Sequence, residues 1–346
     1  MYYKKLNSNA IDIIKQEYLK DNTPWFLGYS GGKDSSALLK LTFNAMLQTE
    51  NHHKKIFVLY CDTGVENPIV TNYVYETFIK LREENRSKKL PFIFKIIKPK
   101  IEDRFFVKVI GRGYPTPTNI FRWCTDKLRI NPVNEYINTK EKSVILLGVR
   151  KAESEQRDRT ISKHITNNEY YLKQNKSKNR LIFSPIINHA LEDVWITILS
   201  LDYPKSIDFK KIRDIYQDAE SECTAIKTEK EKPCGSSRFG CWTCTVVRKD
   251  KSVSNMISNG YEELIELYNF RNWIYNFRDN KTSRCQRRRN GVVGLGPFTI
   301  EARKLILKKL KYAEKKSGFK LLEDEELNKI YELWEMDLNN PLYFEK

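Results

Sequence analysis

The chain has 346 residues, with 61 Lys and Arg against 44 Asp and Glu and a formal net charge of +17. At 40% hydrophobic and 12% aromatic residues it is too apolar for a disordered chain, and its length suggests two domains or one large domain with an appendage. No apolar run approaches the ~18 residues of a membrane span, and the opening seven residues lack the apolar core of a secretion signal, so a cytoplasmic protein with no membrane partner is expected.

In chain order, residues 25–29, 56–60, 92–97, 144–149 and 181–186 read as strands, and 35–47 and 68–85 as helices between them. This alternation predicts an α/β fold, a parallel twisted sheet with flanking helices over residues 1–190. Continuous apolar strands such as 56–60 fit a sheet buried on both faces, and ligands of such sheets lie beyond the carboxyl ends of the strands. Residues 162–180 are polar and predict an exposed excursion. Asn188 is a candidate cap for a helix with Glu192 and Asp193 in its first turn. Residues 191–346 form the expected second region, cysteine-bearing and then helical and basic. There Thr299 caps a helix to about Lys316, Gly318 terminates it, and Leu327, Ile330, Tyr331 and Trp334 recur at core spacing.

The first strand runs into Ser30-Gly31-Gly32-Lys33-Asp34-Ser35-Ser36 and then directly into a helix. Two glycines let backbone N–H groups turn toward an anion, and the helix adds unpaired N–H groups and its positive dipole end. The serines offer hydroxyls and Lys33 a charge; an ordinary glycine turn is the alternative. The Walker pattern, with four residues between its Gly and Gly-Lys, is not met. The segment resembles the Ser-Gly-Gly-x-Asp-Ser signature of the PP-loop ATP pyrophosphatases, with their adenine nucleotide alpha hydrolase-like fold, which cleave ATP between the α and β phosphates. The resemblance implies that Ser30, Gly31, Gly32, Lys33, Asp34, Ser35 and Ser36 hold ATP, with Asp34 near Mg²⁺.

Two further matches narrow the branch. Asp62 and Thr63, in Cys61-Asp62-Thr63-Gly64, resemble the Asp-Thr-Gly of the phosphoadenylylsulfate reductase branch. The run from Gly148 through Arg150 and Glu153 to Arg157 is similar to its Gly-x-Arg-x-x-Glu-Ser-x-x-Arg element. Catalytic roles for Lys33, Asp34, Arg150 and Arg157, and nucleotide contacts for Asp62, Thr63 and Gly148, follow from that resemblance. The alternatives are a turn residue at Asp62, a helix-start acid at Glu66, and surface charge paired with Glu153 for Arg150 and Arg157.

Seven cysteines (61, 124, 223, 234, 241, 244, 285) favour metal or redox chemistry over disulfides in the expected compartment. Cys241 and Cys244 form a Cys-x-x-Cys, Cys234 lies near, and Cys124 is the obvious distant fourth ligand. Four thiolates suit zinc or a 4Fe-4S cluster. Residues 234–247 are very similar to the DndC proteins of bacterial DNA phosphorothioation, which, with the related SspD, combine a PP-loop ATP pyrophosphatase with a 4Fe-4S cluster. The match extends through Cys124, Cys223 and residues 296–303. It implies a sulfurtransferase acting on DNA with a cysteine desulfurase as sulfur donor and other phosphorothioation proteins as partners. Cys124, Cys234, Cys241 and Cys244 are the expected cluster ligands, with Cys223 in reserve and Cys61 as packing. A phosphoadenylylsulfate or adenylylsulfate reductase is the alternative enzyme, although the Glu-Cys-Gly-Leu-His segment of that group is absent. A non-catalytic DNA-binding subunit is the alternative from another class.

Residues 281–289 hold five cations and no acid, and the helix from Arg303 to Lys316 is also basic. Either can follow a DNA backbone, or be a solvated face. The cations around Cys285 are expected to lower its thiol pKa. Trp273, Tyr275 and Phe277, just upstream, are expected to pack in a core.

Overall fold

The computed structural model describes residues 2–137, 142–151, 153, 155–173, 180–219 and 239–339. In chain order the regular elements are α1 (Tyr2–Leu19), β1 (Trp25–Gly28), α2 (Lys33–Leu47), β2 (Ile56–Cys61), α3 (Pro68–Ser87), β3 (Phe92–Ile97), the short α4 (Trp123–Thr125), α5 (Asn131–Ile137), β4 (Ser143–Leu146), α6 (Glu155–His164), β5 (Tyr171–Lys173) and β6 (Arg180–Phe183). Helices α7 (Leu191–Ser200), α8 (Phe209–Ala219), α9 (Lys251–Ser258), α10 (Ile265–Phe277), α11 (Ile300–Ser317) and α12 (Asp324–Leu338) follow.

The six strands form one sheet in the order β3-β2-β1-β4-β6-β5. All neighbours pair parallel except β5, which runs antiparallel to β6. Alternation within β1 and β2 explains burial on both faces. Trp25, Leu27, Val58 and Tyr60 enter the core shared with α1, α2, α3, α7 and α8. Phe26 and Leu59 point the other way, against Ile137 and Val133 of α5. The chain winds outward from β1 to β3 and then returns to the other side of β1 with β4. That reversal leaves a crevice at the carboxyl ends of β1 and β4, where ligands of open α/β sheets bind.

A second core joins α9–α12 to the turns at Val107–Gly111 and Asp126–Ile130 through Phe106, Ile110, Trp123, Leu128, Phe270, Phe298, Ile306 and Leu333. Asp337, on α12, holds Arg303 Nη1 of α11 at 2.6 Å and Arg289 at 3.1 Å, while Trp334 Nε1 donates to the carbonyl of Ile110 at 2.7 Å. Trp273 stacks on Phe277 at 4.6 Å within this core.

The α/β architecture stands as expected, with four differences of detail. The polar run 162–180 contains the end of α6 and edge strand β5 rather than only an excursion. A three-residue antiparallel edge strand needs little apolar content, which is why its signal is weak. Helix α7 starts after Ala190, not Asn188: Asp193 accepts the Ala190 N–H at 2.8 Å, whereas Asn188 accepts from Lys151 and donates to Glu169. Thr299 caps α11 through Ala302 N–H and Gly318 ends it at φ 75°, but Tyr331 is 46% exposed while Ile330 and Trp334 are buried. Around Cys285, burial outweighs the pull of Arg303, Arg284 and Arg289 and pushes the thiol up, against the expected lowering.

Candidate functional site

The loop after β1 is shaped by its glycines. Gly31 sits at φ 76°, and a Cβ there would lie 2.4 Å from Val74 of α3. Gly32 caps α2 with no side-chain partner for the helix N-terminus, so only part of that donor set is used internally. The Ser35 hydroxyl donates to the Gly32 carbonyl at 2.9 Å and lies 3.1 Å from Ser30 Oγ. Ser36 reaches Tyr29 OH at 3.5 Å. From α8, Tyr216 OH accepts the Lys33 N–H at 3.3 Å, with its ring 5.0 Å beneath Lys33 Nζ.

Three charges meet at the start of α2. Asp34 Oδ1 accepts from Arg150 Nε at 2.5 Å, and Asp34 Oδ2 lies 3.3 Å from Lys33 Nζ. Arg150 is 4% exposed and also donates to the His189 carbonyl at 3.1 Å. It is therefore not the surface charge that the alternative reading supposed. Two buried cations on one carboxylate leave the loop positive, in line with the helix dipole. Burial, and then Arg150, lower the pKa of His189 despite Asp193. Gly148 closes the arrangement from β4: a Cβ there would come within 2.8 Å of the Asp34 backbone.

Ser30, Gly32, Lys33, Asp34, Ser35, Gly148 and Tyr216 line part of a cleft of about 470 Å³, within the usual range for small-ligand sites. Its floor is apolar, from Phe26, Leu59, Val133, Ile145 and Leu147, and its wall carries Glu153 and Arg157. Those two side chains pair with each other, so Arg157 reaches the cleft as part of an ion pair. Asp62 and Thr63 stand outside the cleft lining. Asp62 accepts from Gly64 N–H at 2.9 Å and Tyr75 OH at 2.7 Å, the geometry of a turn residue, and Thr63 donates to Glu66 at 3.0 Å.

Glu66 is no mere helix-start acid. Asn67 caps α3, while Glu66 lines the cleft and receives Arg129 Nη2 at 2.8 and 3.1 Å. Its carboxylate pushes the Arg129 pKa up. Arg129 also lies 3.9 Å from Cys241 Sγ, and Glu66 bridges Cys241 through the backbone. Sequence reasoning missed Arg129, Tyr216 and Phe239. All three reach the cleft through long-range packing that no local motif encodes.

Cys241 and Cys244 share a turn, with the Cys244 N–H on the Cys241 carbonyl at 2.9 Å, and both are electrostatic neighbours of Cys124. Burial, then Glu66, pushes the Cys241 thiol well up, and burial also raises that of Cys124. The expected ligand Cys234 and its reserve Cys223 lie outside the described residues. Among the described residues no three Cys, His, Asp or Glu side chains converge on one metal position. Cys124, Cys241 and Cys244 are soft thiol donors of the kind that zinc and iron–sulfur centres take. Cys61, with Sγ 3.2 Å from the Leu128 carbonyl, lines the cleft and is pushed up to about 12 by burial.

Among known proteins, the chain is 31% identical over 260 residues to an uncharacterised protein of Methanocaldococcus jannaschii, covering 75% of this chain and 43% of that one. A second uncharacterised protein of the same organism is 25% identical over 244 residues, covering 70% and 47%. The chain thus spans under half the length of these relatives. Among solved structures it is similar to the U34-tRNA thiolase NcsA from Methanococcus maripaludis with its 4Fe-4S cluster, at TM-score 0.38 and 15% identity over 62% of this chain and 72% of that one. It is also similar to the phosphoadenylyl-sulfate reductase from Candida auris in its phosphate complex, at TM-score 0.35 and 13% identity over 57% and 84%. Residues 24–247, which carry the glycine–serine loop, the cleft wall and the Cys-x-x-Cys, match the phosphoadenosine phosphosulfate reductase domain, and the chain belongs to that family.

Proposed function

We propose that the chain is a PP-loop ATP pyrophosphatase and sulfurtransferase of the DndC and SspD kind, which adenylates a DNA backbone phosphate so that sulfur can replace one of its oxygens. The observation that carries this reading is a cleft lined by Lys33 and Asp34, the latter held by Arg150, and also by Glu66 and Arg129, whose guanidinium lies 3.9 Å from Cys241 Sγ. An activated phosphate and the cysteine site would then face the same space.

The helix start and Ser30, Ser35 and Ser36 bind the β and γ phosphates of ATP, and the apolar floor takes the nucleoside. A Mg²⁺ ion accompanying the triphosphate would meet Asp34, whose carboxylate has the hard oxygens that ion prefers. A non-bridging oxygen of the DNA phosphate attacks the α phosphorus, the α–β bond breaks, and pyrophosphate leaves with charge neutralised by Lys33 and Arg150. Arg157 is freed from Glu153 to meet the same charge. Excess cysteine thiol reduces the persulfide of a cysteine desulfurase, giving a disulfide and hydrosulfide; the hydrosulfide attacks the DNA phosphorus, the bond to the adenylated oxygen breaks, AMP departs and the sulfur loses its proton to solvent. A 4Fe-4S cluster held by Cys124, Cys241, Cys244 and Cys234 (or Cys223) would supply a site for binding sulfur.

Duplex DNA, ATP, Mg²⁺, cysteine and a desulfurase, incubated anaerobically with the protein, should yield AMP, pyrophosphate and phosphorothioate in equal amounts by mass spectrometry. ADP and orthophosphate would contradict the proposal. The family match itself favours a second reading, reductive cleavage of phosphoadenylylsulfate. Sulfite released from that nucleotide with a thiol reductant would establish it instead.

A further inference from the structure

Residues 285–296 form a small hairpin that neither core absorbs. Cys285 N–H donates to the Pro297 carbonyl at 2.9 Å, Gly294 N–H to Gln286 at 2.8 Å and Arg288 N–H to Val292 at 2.8 Å, with Arg287 bridging Val293. Its tip is Asn290-Gly291, with Gly291 at φ 80°, as a tight turn requires. Val292, Val293 and Leu295 are 53%, 73% and 50% exposed, three large apolar residues within four positions. Single exposed apolar residues are ordinary, but a cluster on one short hairpin is not.

The hairpin is held firmly. Arg284 Nε donates to the Gly296 carbonyl at 2.7 Å, and Arg289 Nη2 to the Arg112 carbonyl at 2.6 Å and to Asp337 at 3.1 Å. At Gly296 a Cβ would lie 1.9 Å from the Arg287 carbonyl oxygen, so the two strands are pressed together. Of the five cations in the run, Arg284 and Arg289 thus serve the stem. Arg287 and Arg288 stay exposed opposite the valines, Lys281 is exposed ahead of the hairpin, and no acid occurs from 281 to 300.

We propose that this hairpin is a wing that enters a groove of duplex DNA, with Arg287 and Arg288 on the phosphates and Val292 and Val293 as an apolar wedge. Charge complementarity selects a polyanion. A two-stranded ribbon has the width a groove admits, and apolar side chains flanked by arginine are the means by which proteins open base steps. A rigid stem carries the ordering cost in advance. The proposal rests on DNA as the acceptor, and names the surface that would hold it against the chain.

Fluorescence anisotropy of the full chain with a 30-base-pair duplex, across a salt series, tests the wing. The double variant Arg287→Gln/Arg288→Gln should flatten the slope of log K against log salt by about 2, since each phosphate contact contributes roughly 0.9. Val292→Ser/Val293→Ser should weaken binding about tenfold with the slope unchanged. No duplex binding by the unaltered chain, or unchanged binding by both variants, would overturn the proposal. So would loss of binding only to anionic vesicles or to a single-stranded RNA of the same length. ATP cleavage by the unaltered chain, assayed separately, reads the nucleotide function. Cleavage without wing-dependent DNA binding sinks the wing alone, and wing-dependent binding without cleavage sustains the wing while the pyrophosphatase reading fails.

Discussion

Gly148 sets how close β4 comes to the glycine–serine loop, because the Asp34 backbone occupies the space a Cβ would need. Gly148→Ala must push the loop and Asp34 outward, an overpacking cost of about 1–3 kcal/mol. Titration with ATP should show affinity at least tenfold lower, with the fold retained by circular dichroism. Asp34→Ala leaves the buried Arg150 without its carboxylate; breaking such pairs costs about 3 kcal/mol or more, and the loss should appear in urea denaturation. Cys61 offers a third check at this scale. With its thiol pushed up to about 12 by burial, it is almost wholly protonated at pH 8 and should resist iodoacetamide in the native protein while reacting in urea.

At the scale of elements, the strands were legible because β1, β2 and β3 are nearly unbroken apolar runs bounded by turn residues; these three fall within a residue of the expected limits, while β4 and β6 each end three residues early. The glycine–serine loop was legible because all its parts are contiguous. Helix α1 carries no cap or glycine signal, and β5 hides in a polar stretch. Arg129, Glu66 and Tyr216 come to line one cleft only once α3, α8 and the turn at 126–130 pack against the sheet, so no local pattern marks them. The α11–α12 pair depends on one carboxylate in the same way. Asp337→Asn would leave Arg303, 2% exposed, and Arg289 facing a neutral amide, and urea denaturation should show a loss of about 3 kcal/mol.

At the scale of the whole molecule, Phe239 in the cleft lining packs against both the sheet core and the core of α9–α12. The cleft floor, with Phe26, Leu59 and Ile145, lies on the α5 face of the sheet, while Cys241, Cys124 and Trp242 belong to the core of α9–α12. The bridge runs from Trp242 N–H to the Val65 carbonyl at 3.0 Å and from Arg129 to both Glu66 and Cys241. Under the proposed function, a nucleotide at the loop would share this cleft with Arg129, the neighbour of Cys241. The central claim is that this loop grips the outer phosphates while the α–β bond breaks. Two ATP analogues presented with Mg²⁺, duplex DNA and the sulfur-donating desulfurase test it most directly. With β,γ-imido-ATP the protein should release AMP and imidodiphosphate, and α,β-methylene-ATP should bind and remain whole; release of orthophosphate from the α,β-methylene analogue, with the β,γ-imido analogue left intact, would contradict the account.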